Sequence, residues 1–454
     1  MRKALILTGL PLTAIGGIEK IGQNIRDLLL DHQWEVDAKS SHDLIPNALH
    51  KANYPLFQYF EPAVQFGWKA YDLVITNNFV GGAIYQTEHT KVITLVHGLF
   101  TAAVKQMEAE IPDVVGNFKT EFMLEELAYQ NKTKLISISL QVKEELHHHI
   151  GETSRLIYNG FDFTFFGKNQ DNFRNELNIP PAAIVGLYAG RWSLLEKRPD
   201  IILEVSKSFP EIIWIFATDS DIPALEAQNN IRVMKNVPHN QMPKLYNTAN
   251  FSIQLSSYEG SSNFAMESFA SKIPMVSTKV GILREIYVDT KLEDLLIDQS
   301  YDRAIVKERA IEKVELLVEN ITYYNQALLD LYPSVKENFS LERWRKSMLQ
   351  ELDPDANYQP KKYALDNAKS ITRLIDEYII DDLLHSNEAE RQIKEFDVIW
   401  DKKNIRDAVV HLVENASDTN KMKIISMLQT LEEQISQKDF FYKNLSQELV
   451  ANIK

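Results

Sequence analysis

The sequence predicts an α/β protein of two successive doubly wound domains, with a helical appendage after them. Three observations carry that expectation. Short apolar runs alternate with stretches whose apolar residues recur at helical spacing, the pattern of a mostly parallel sheet covered on both faces. The rhythm pauses in a polar stretch that ends at Pro180-Pro181 and then restarts at similar length. Beyond about Asp353, where Pro354 and Pro360 mark a break, strand signals stop.

KALILTG (3–9) reads as a first buried strand. Its apolar run is short and is broken by Gly9 and Pro11, so a strand is expected rather than a secretion signal. IEKIGQNIRDLLLDH (18–32) has apolar residues at helical spacing. DLVITNN (72–78), KVITLVHG (91–98) and KLISIS (134–139) read as further strands, and QVKEELHHHI (141–150) as a helix. YPLFQYFEPAVQFGW (54–68) is unusually aromatic and suits either a core or a platform on which a ligand packs.

After a turn around Asn159-Gly160, the second series of strands is IVGLYAG (184–190), EIIWIFAT (211–218), IRVMKNV (231–237), FSIQLSS (251–257) and IPMVST (273–278). RPDIILEVSKSF, QMPKLYNTAN and FAMESFASK supply helices between them, and residues 303–350 read as helical throughout. The expected domains are residues 1–165, residues 166–334 and a helical extension at 353–454, with a cleft between the first two as the default ligand site. In the extension, Ile424, Leu428, Leu431, Ile435, Lys438, Tyr442, Leu445 and Leu449 alternate four and three apart. That heptad seam at 424–449 fits a bundle on its own chain, or self-association or a partner helix.

Bulk chemistry narrows the function. The net charge of −14 argues against nucleic acid as a partner, because such binding rests on phosphate neutralisation. There is no cysteine, which removes disulfides and thiolate metal sites and fits a reducing, cytoplasmic setting. No apolar run approaches the ~20 residues needed to span a bilayer.

The stretch SYEGSSNFAMESFASKIPMVST (257–278) joins a buried strand to a helix and carries Glu259 at its tip and Glu267 inside the helix. A helix that starts there presents unpaired N–H groups and the positive end of its dipole. Gly260, Ser261, Ser262, Asn263 and Phe264 let backbone amides approach an anion. Glu267, about one turn in, suits paired hydroxyls beside that anion, and Glu259 suits a sugar hydroxyl in the cleft. By spacing alone, two glutamates on such a corner are more often solvated. Arg191 and Lys197 would neutralise a phosphate or stand as solvated loop charges. His97 ends a strand, where a structural histidine is the commoner reading. Consecutive His147, His148 and His149 point about 100° apart on a helix and cannot all face one ion.

The segment from Val237 through GILREI closely resembles the donor-site signature of retaining GT-B glycosyltransferases of the family-4 group. Its parts appear in order: V-P-H, P-x-L-Y, Y-E-G, the E-x7-E pair, P-M-V-S-T and a glycine-containing loop. AIGGIEKIGQNIRDLL, VHG (96–98), ISISLQVKEEL, RLIYNGFD and YAGRWSLLEKRPDIIL are similar to other parts of that family, so the resemblance spans roughly residues 3–290. It implies a GT-B fold and a nucleotide-sugar donor as co-substrate, with no metal or other cofactor. Arg191 and Lys197 then hold the diphosphate with backbone donors at Gly16 and Gly17. Glu267 takes the ribose, Glu259 the transferred sugar, and His97 stands by the anomeric centre. The helices near 335–352 are implied to pack back on the first domain.

The implied reaction moves a glycosyl unit to a hydroxyl with retained configuration. The acceptor class is a glycan, a lipid-linked or a small-molecule hydroxyl, as in polysaccharide biosynthesis, and a lipid-linked acceptor would place the chain peripheral to a membrane. Three departures from the pattern stand out. Ser262 occupies a position where glycine is common. The Arg191-to-Lys197 spacing is one residue longer than expected, which brings in Arg198 as a neighbouring candidate. The loop after IIWIFAT lacks the usual glycines, and its Asp219 and Asp221 are not read as a metal cluster. Two other classes of function remain in view: a non-catalytic GT-B assembly subunit acting through its helical tail, and a sugar-nucleotide epimerase.

Overall fold

The structure is a computed structural model. It describes residues 2–352 except 15, 41–61, 63–65, 83, 108–121, 123–124, 127, 130–131, 168–170 and 227. These residues fall into two compact units, one drawn from the described residues of 1–96, 116–136 and 351–352, the other from those of 97–115 and 137–350. No helix among the described residues is long and apolar enough to cross a membrane.

The first series of elements is β1 (Lys3–Thr8), α1 (Gly17–Asp31), β2 (Glu35–Ser40), β3 (Leu73–Asn77), β4 (Lys91–Val96), α2 (Phe100–Met107), β5 (Lys134–Ser137), α3 (Leu140–Ile150), β6 (Arg155–Leu156) and α4 (Phe163–Gly167). Their strands form a six-stranded sheet in the order β2-β1-β3-β4-β5-β6. Its β1–β2, β1–β3 and β3–β4 pairings are parallel. Every residue of β3 is buried and β1 exposes only Lys3, as a sheet covered on both faces requires. Helix α1 buries Ile21, Ile25, Leu28 and Leu29, one stripe at helical spacing.

The second series is β7 (Val185–Ala189), α5 (Pro199–Lys207), β8 (Ile213–Thr218), α6 (Pro223–Glu226), β9 (Ile231–Lys235), α7 (Met242–Tyr246), β10 (Phe251–Gln254), α8 (Asn263–Ala270), β11 (Met275–Thr278), α9 (Gly281–Tyr287) and β12 (Leu296–Ile297). Helices α10 (Arg303–Glu319), α11 (Ile321–Phe339) and α12 (Leu341–Leu352) follow. The sheet order is β12-β11-β10-β7-β8-β9, and all of its pairings are parallel. Trp214, Phe216 and Phe251 are completely buried in the core beneath it.

Each strand expected from the sequence is present, generally shorter than its apolar run. Three strands were not expected. β2 is EVDAKS, which keeps five of its six residues at least partly exposed and so carries little apolar signal. β6 and β12 have two residues each. The helical run over 303–350 divides at Asn320 and Ser340, and Trp344 of α12 packs so closely on Gly160 that an added Cβ there would lie 2.5 Å from it. Most of the aromatic segment 54–68, and the whole heptad seam at 424–449, lie outside the described residues. Of the former, Trp68 is a core residue packed with Phe66, Tyr71 and Tyr85.

Candidate functional site

The sheet order creates the site. The chain leaves β7 toward β8 and β9, then returns to lay β10 on the other side of β7. Crossover connections therefore diverge at the carboxyl ends of β7 and β10, the place where open α/β sheets hold ligands. The loop after β7 carries Arg191 and Lys197, and the loop after β10 carries Tyr258, Glu259 and Gly260.

The β7 loop is fixed by its own backbone and by its neighbour. The amides of Lys197 and Arg198 both donate to the Ser193 carbonyl, at 2.9 and 3.0 Å. Ser257 donates from its hydroxyl to the Leu195 carbonyl at 2.7 Å and from its amide to the Glu196 carbonyl at 2.8 Å. The Lys197 ammonium lies 2.8 Å from Glu259 Oε1 and 2.9 Å from Glu196 Oε1. Burial alone would pull its pKa down, but Glu259 and Glu196 outweigh that and hold it above the usual lysine value. Arg191 is largely exposed and reaches Glu196 at 3.5 Å.

Arg198, the neighbouring candidate, has a different job. Its side chain is completely buried, and its guanidinium donates to the Ser300 carbonyl, pinning the start of α5 to the segment before α10. The cation beside the acidic corner is Lys197.

Glu259 is 7% exposed and accepts a second hydrogen bond from Ser256 at 2.7 Å. Its backbone has no room to move. A Cβ on Gly260 would stand 1.9 Å from the His97 carbonyl oxygen, and one on Gly281, whose φ is +57°, would stand 2.8 Å from the Glu259 Cβ. The corner is thus wedged between the His97-Gly98 turn and the start of α9. The Tyr258 hydroxyl locks the same turn: it accepts from the Leu99 amide at 2.9 Å and donates to Glu145 at 2.8 Å. His97 is half-buried, and burial pushes its imidazole down to about 4, so it is neutral near pH 7.

Helix α8 opens at Ser262, whose hydroxyl accepts from the Ala265 amide at 3.2 Å and donates to Gln254. The serine at a position where glycine was expected is therefore an N-cap, and it fixes the helix start to the end of β10. Ser261, Asn263 and Phe264 are partly or fully exposed around that start. One turn on, Glu267 accepts from the Tyr246 hydroxyl at 2.6 Å. Burial pushes its carboxyl up to about 7, against the opposing pull of that hydrogen bond. Gly16 and Gly17 open α1 in the other unit. There Glu19 folds back so that a Cβ on Gly16 would meet its Oε2 at 2.0 Å, and the Leu10 and Glu19 amides hold the carboxylate.

Glu267 and Tyr246 make a pH test of this geometry. A folded pKa raised from 4.5 to about 7 means that the folded chain keeps a proton the unfolded chain has lost, so stability falls as pH rises through that window. Tyr246→Phe removes the group that favours the ionised form. It is expected to destabilise by about 1–3 kcal/mol, more above about pH 7 than below it, in denaturant unfolding. Equal losses on both sides would contradict the assignment.

The sequence brought Glu259, Glu267, Lys197 and His97 forward as site residues. It did not bring forward Glu196, Ser256 or Glu145, and Tyr258 and Tyr246 entered only as letters of the Y-E-G and P-x-L-Y motifs. Glu196 was signalled by its place beside Lys197 and Ser256 by its place three residues before Glu259; Tyr258, Glu145 and Tyr246 act on residues distant in sequence and leave no spacing signal.

Residues 169–327 match the family model described as Glycosyl transferases group 1. The comparison with curated proteins returns no match. Among solved structures, the chain is similar to a sucrose-phosphate synthase from Thermosynechococcus elongatus, at 17% identity and a TM-score of 0.65 over 77% of this chain and 98% of that one. It is similar to Anabaena HepE in complex with UDP and glucose, at 16% identity and a TM-score of 0.58 over 78% and 99% of the two chains. It is also similar to WaaG, a glycosyltransferase involved in lipopolysaccharide biosynthesis, at 12% identity and a TM-score of 0.59 over 77% and 100%. Such likenesses establish the fold, which is GT-B.

Proposed function

We propose that the chain is a retaining glycosyltransferase that moves a sugar from a nucleotide-sugar donor to a hydroxyl of a glycan, lipid-linked or small-molecule acceptor. The observation that carries this reading is the Lys197–Glu259 pair beside the N-terminus of α8, with Glu267 one turn into the same helix. That is a cation and a helix end for a diphosphate, flanked by one carboxylate for each sugar of a nucleotide sugar.

In this reading Arg191, Lys197 and the first amides of α8 hold the diphosphate. Glu267 accepts from the ribose hydroxyls, and Glu259 from a hydroxyl of the sugar to be moved. Neutral His97 donates to that sugar and leaves the leaving group as the proton acceptor. The bond from the anomeric carbon to the diphosphate oxygen breaks, with its electron pair going to the nucleoside diphosphate. The acceptor oxygen forms its bond on the same face, and its proton passes to the departing phosphate oxygen. Charge on the leaving group is met by groups already in position, which is the main source of the rate. With this much positive charge supplied by the chain, a divalent metal is not required.

The test is release of nucleoside diphosphate from UDP-, GDP- and ADP-sugars in buffer containing EDTA. Slow donor hydrolysis with one base class, abolished by Glu267→Ala, is the expected result. No release with any donor, or release unchanged in Glu267→Ala, would overturn the reading.

A further inference from the structure

We propose that Glu196 is a displaceable stand-in for the donor's diphosphate, which weakens nucleoside diphosphate binding and hastens its departure after transfer. The inference rests on the reading of this site as a nucleotide-sugar site. One carboxylate engages both cations assigned to the diphosphate: Oε1 lies 2.9 Å from Lys197 Nζ, and Oε2 lies 3.5 Å from Arg191 Nη2. It spans them as two oxygens of a phosphate group would.

The two carboxylates on Lys197 differ in kind. Glu259 is shielded, with side-chain exposures of 19% and 8% across the pair, and Ser256 holds the same oxygen. Glu196 is 31% exposed, and its partner Arg191 is 71% exposed, so that contact is weak and readily exchanged. The backbone at 196 is fixed because its carbonyl accepts from the Ser257 amide at 2.8 Å. Only side-chain torsions need change for the carboxylate to swing away. An incoming diphosphate therefore displaces Glu196 and leaves Glu259 in place.

A competing anion has a defined signature. Arg191 and Lys197 attract phosphate oxygens more strongly once Glu196 is neutral, so removing its charge tightens binding. A residue that merely positions Lys197 gives the opposite sign, because Lys197 loses a partner. Product release limits turnover in many enzymes, and a built-in competitor acts on that step.

The experiment is calorimetric titration of the full chain with inorganic pyrophosphate, which needs no knowledge of the base, and then with UDP, GDP and ADP. Glu196→Gln and Glu196→Ala are expected to lower the Kd for pyrophosphate about 3- to 10-fold at low ionic strength. The gain should shrink as salt is raised. Product inhibition by the matching nucleoside diphosphate should strengthen in parallel. If both variants bind pyrophosphate no better than the parent while Lys197→Ala binds it worse, Glu196 is a positioning residue and the proposal fails with the site reading intact. If the parent binds neither pyrophosphate nor any of the three nucleotides, the site reading itself fails and the proposal with it.

Discussion

Lys197→Ala is expected to lower kcat roughly 10²- to 10³-fold, the loss typical when one preorganised group facing developing charge is removed. The ammonium is the shielded cation of the site and lies 2.8 Å from Glu259. Deleting it also leaves the 7% exposed Glu259 carboxylate without its cation, held by the Ser256 hydroxyl. An uncompensated buried charge costs about 3–5 kcal/mol, so folding stability should fall as well. The two losses separate in a double variant. Lys197→Ala with Glu259→Gln should recover most of the stability, because the stranded charge is gone, yet recover none of the activity. Turnover at saturating donor and denaturant unfolding measure the two halves. Near-parental kcat in Lys197→Ala would remove the ammonium from the mechanism.

Gly260→Ala is the second large effect. The added methyl would lie 1.9 Å from the His97 carbonyl oxygen and 3.2 Å from the Gly98 Cα. Those are backbone atoms, and no rotamer change relieves the overlap. Either the Y-E-G corner or the His97 turn must move, and each carries a residue of the site. Overpacking of this kind costs roughly 3 kcal/mol, at the high end for a single added methyl. A displacement near 1 Å at the reacting groups costs about 10²-fold in kcat/KM. Ser261→Ala, one residue on at a partly exposed position, serves as the comparison and should change neither quantity much. A Gly260→Ala variant with parental stability and turnover would show that the corner tolerates movement.

Much of the architecture was legible because buried parallel strands are written as short apolar runs. β3 and β4 are near-continuous stretches of buried residues, and such runs are hard to hide. β2 was hidden for the complementary reason: its edge position lets Glu35, Asp37 and Lys39 stand exposed, and the sequence reads as polar. The site was legible where its residues lie within one strand-to-helix corner, as Glu259 and Glu267 do. It was not legible where a role depends on contacts across the fold. The choice between Lys197 and Arg198 turns on the Ser300 carbonyl, more than a hundred residues away, and adjacent cations in a loop look alike until that carbonyl is placed. Ser262 shows the converse, since a small polar residue before a helix suggests a cap, yet its second bond to Gln254 appears only in three dimensions.

The return of β10 to the side of β7 has a consequence for how this chain is made. Phe251 pairs with Gly186, so the floor of the site closes only after some sixty-five further residues have left the ribosome. Until then β7, β8 and β9 can pair among themselves, while the far side of β7 keeps an unpaired row of amides and carbonyls beside an apolar surface. Such a nascent edge is a template for unwanted strands, and long-range closure is slow. Chaperone demand and loss to aggregates should therefore concentrate in the interval between synthesis of residue 189 and residue 254, and slowing translation there should lower the yield of folded chain.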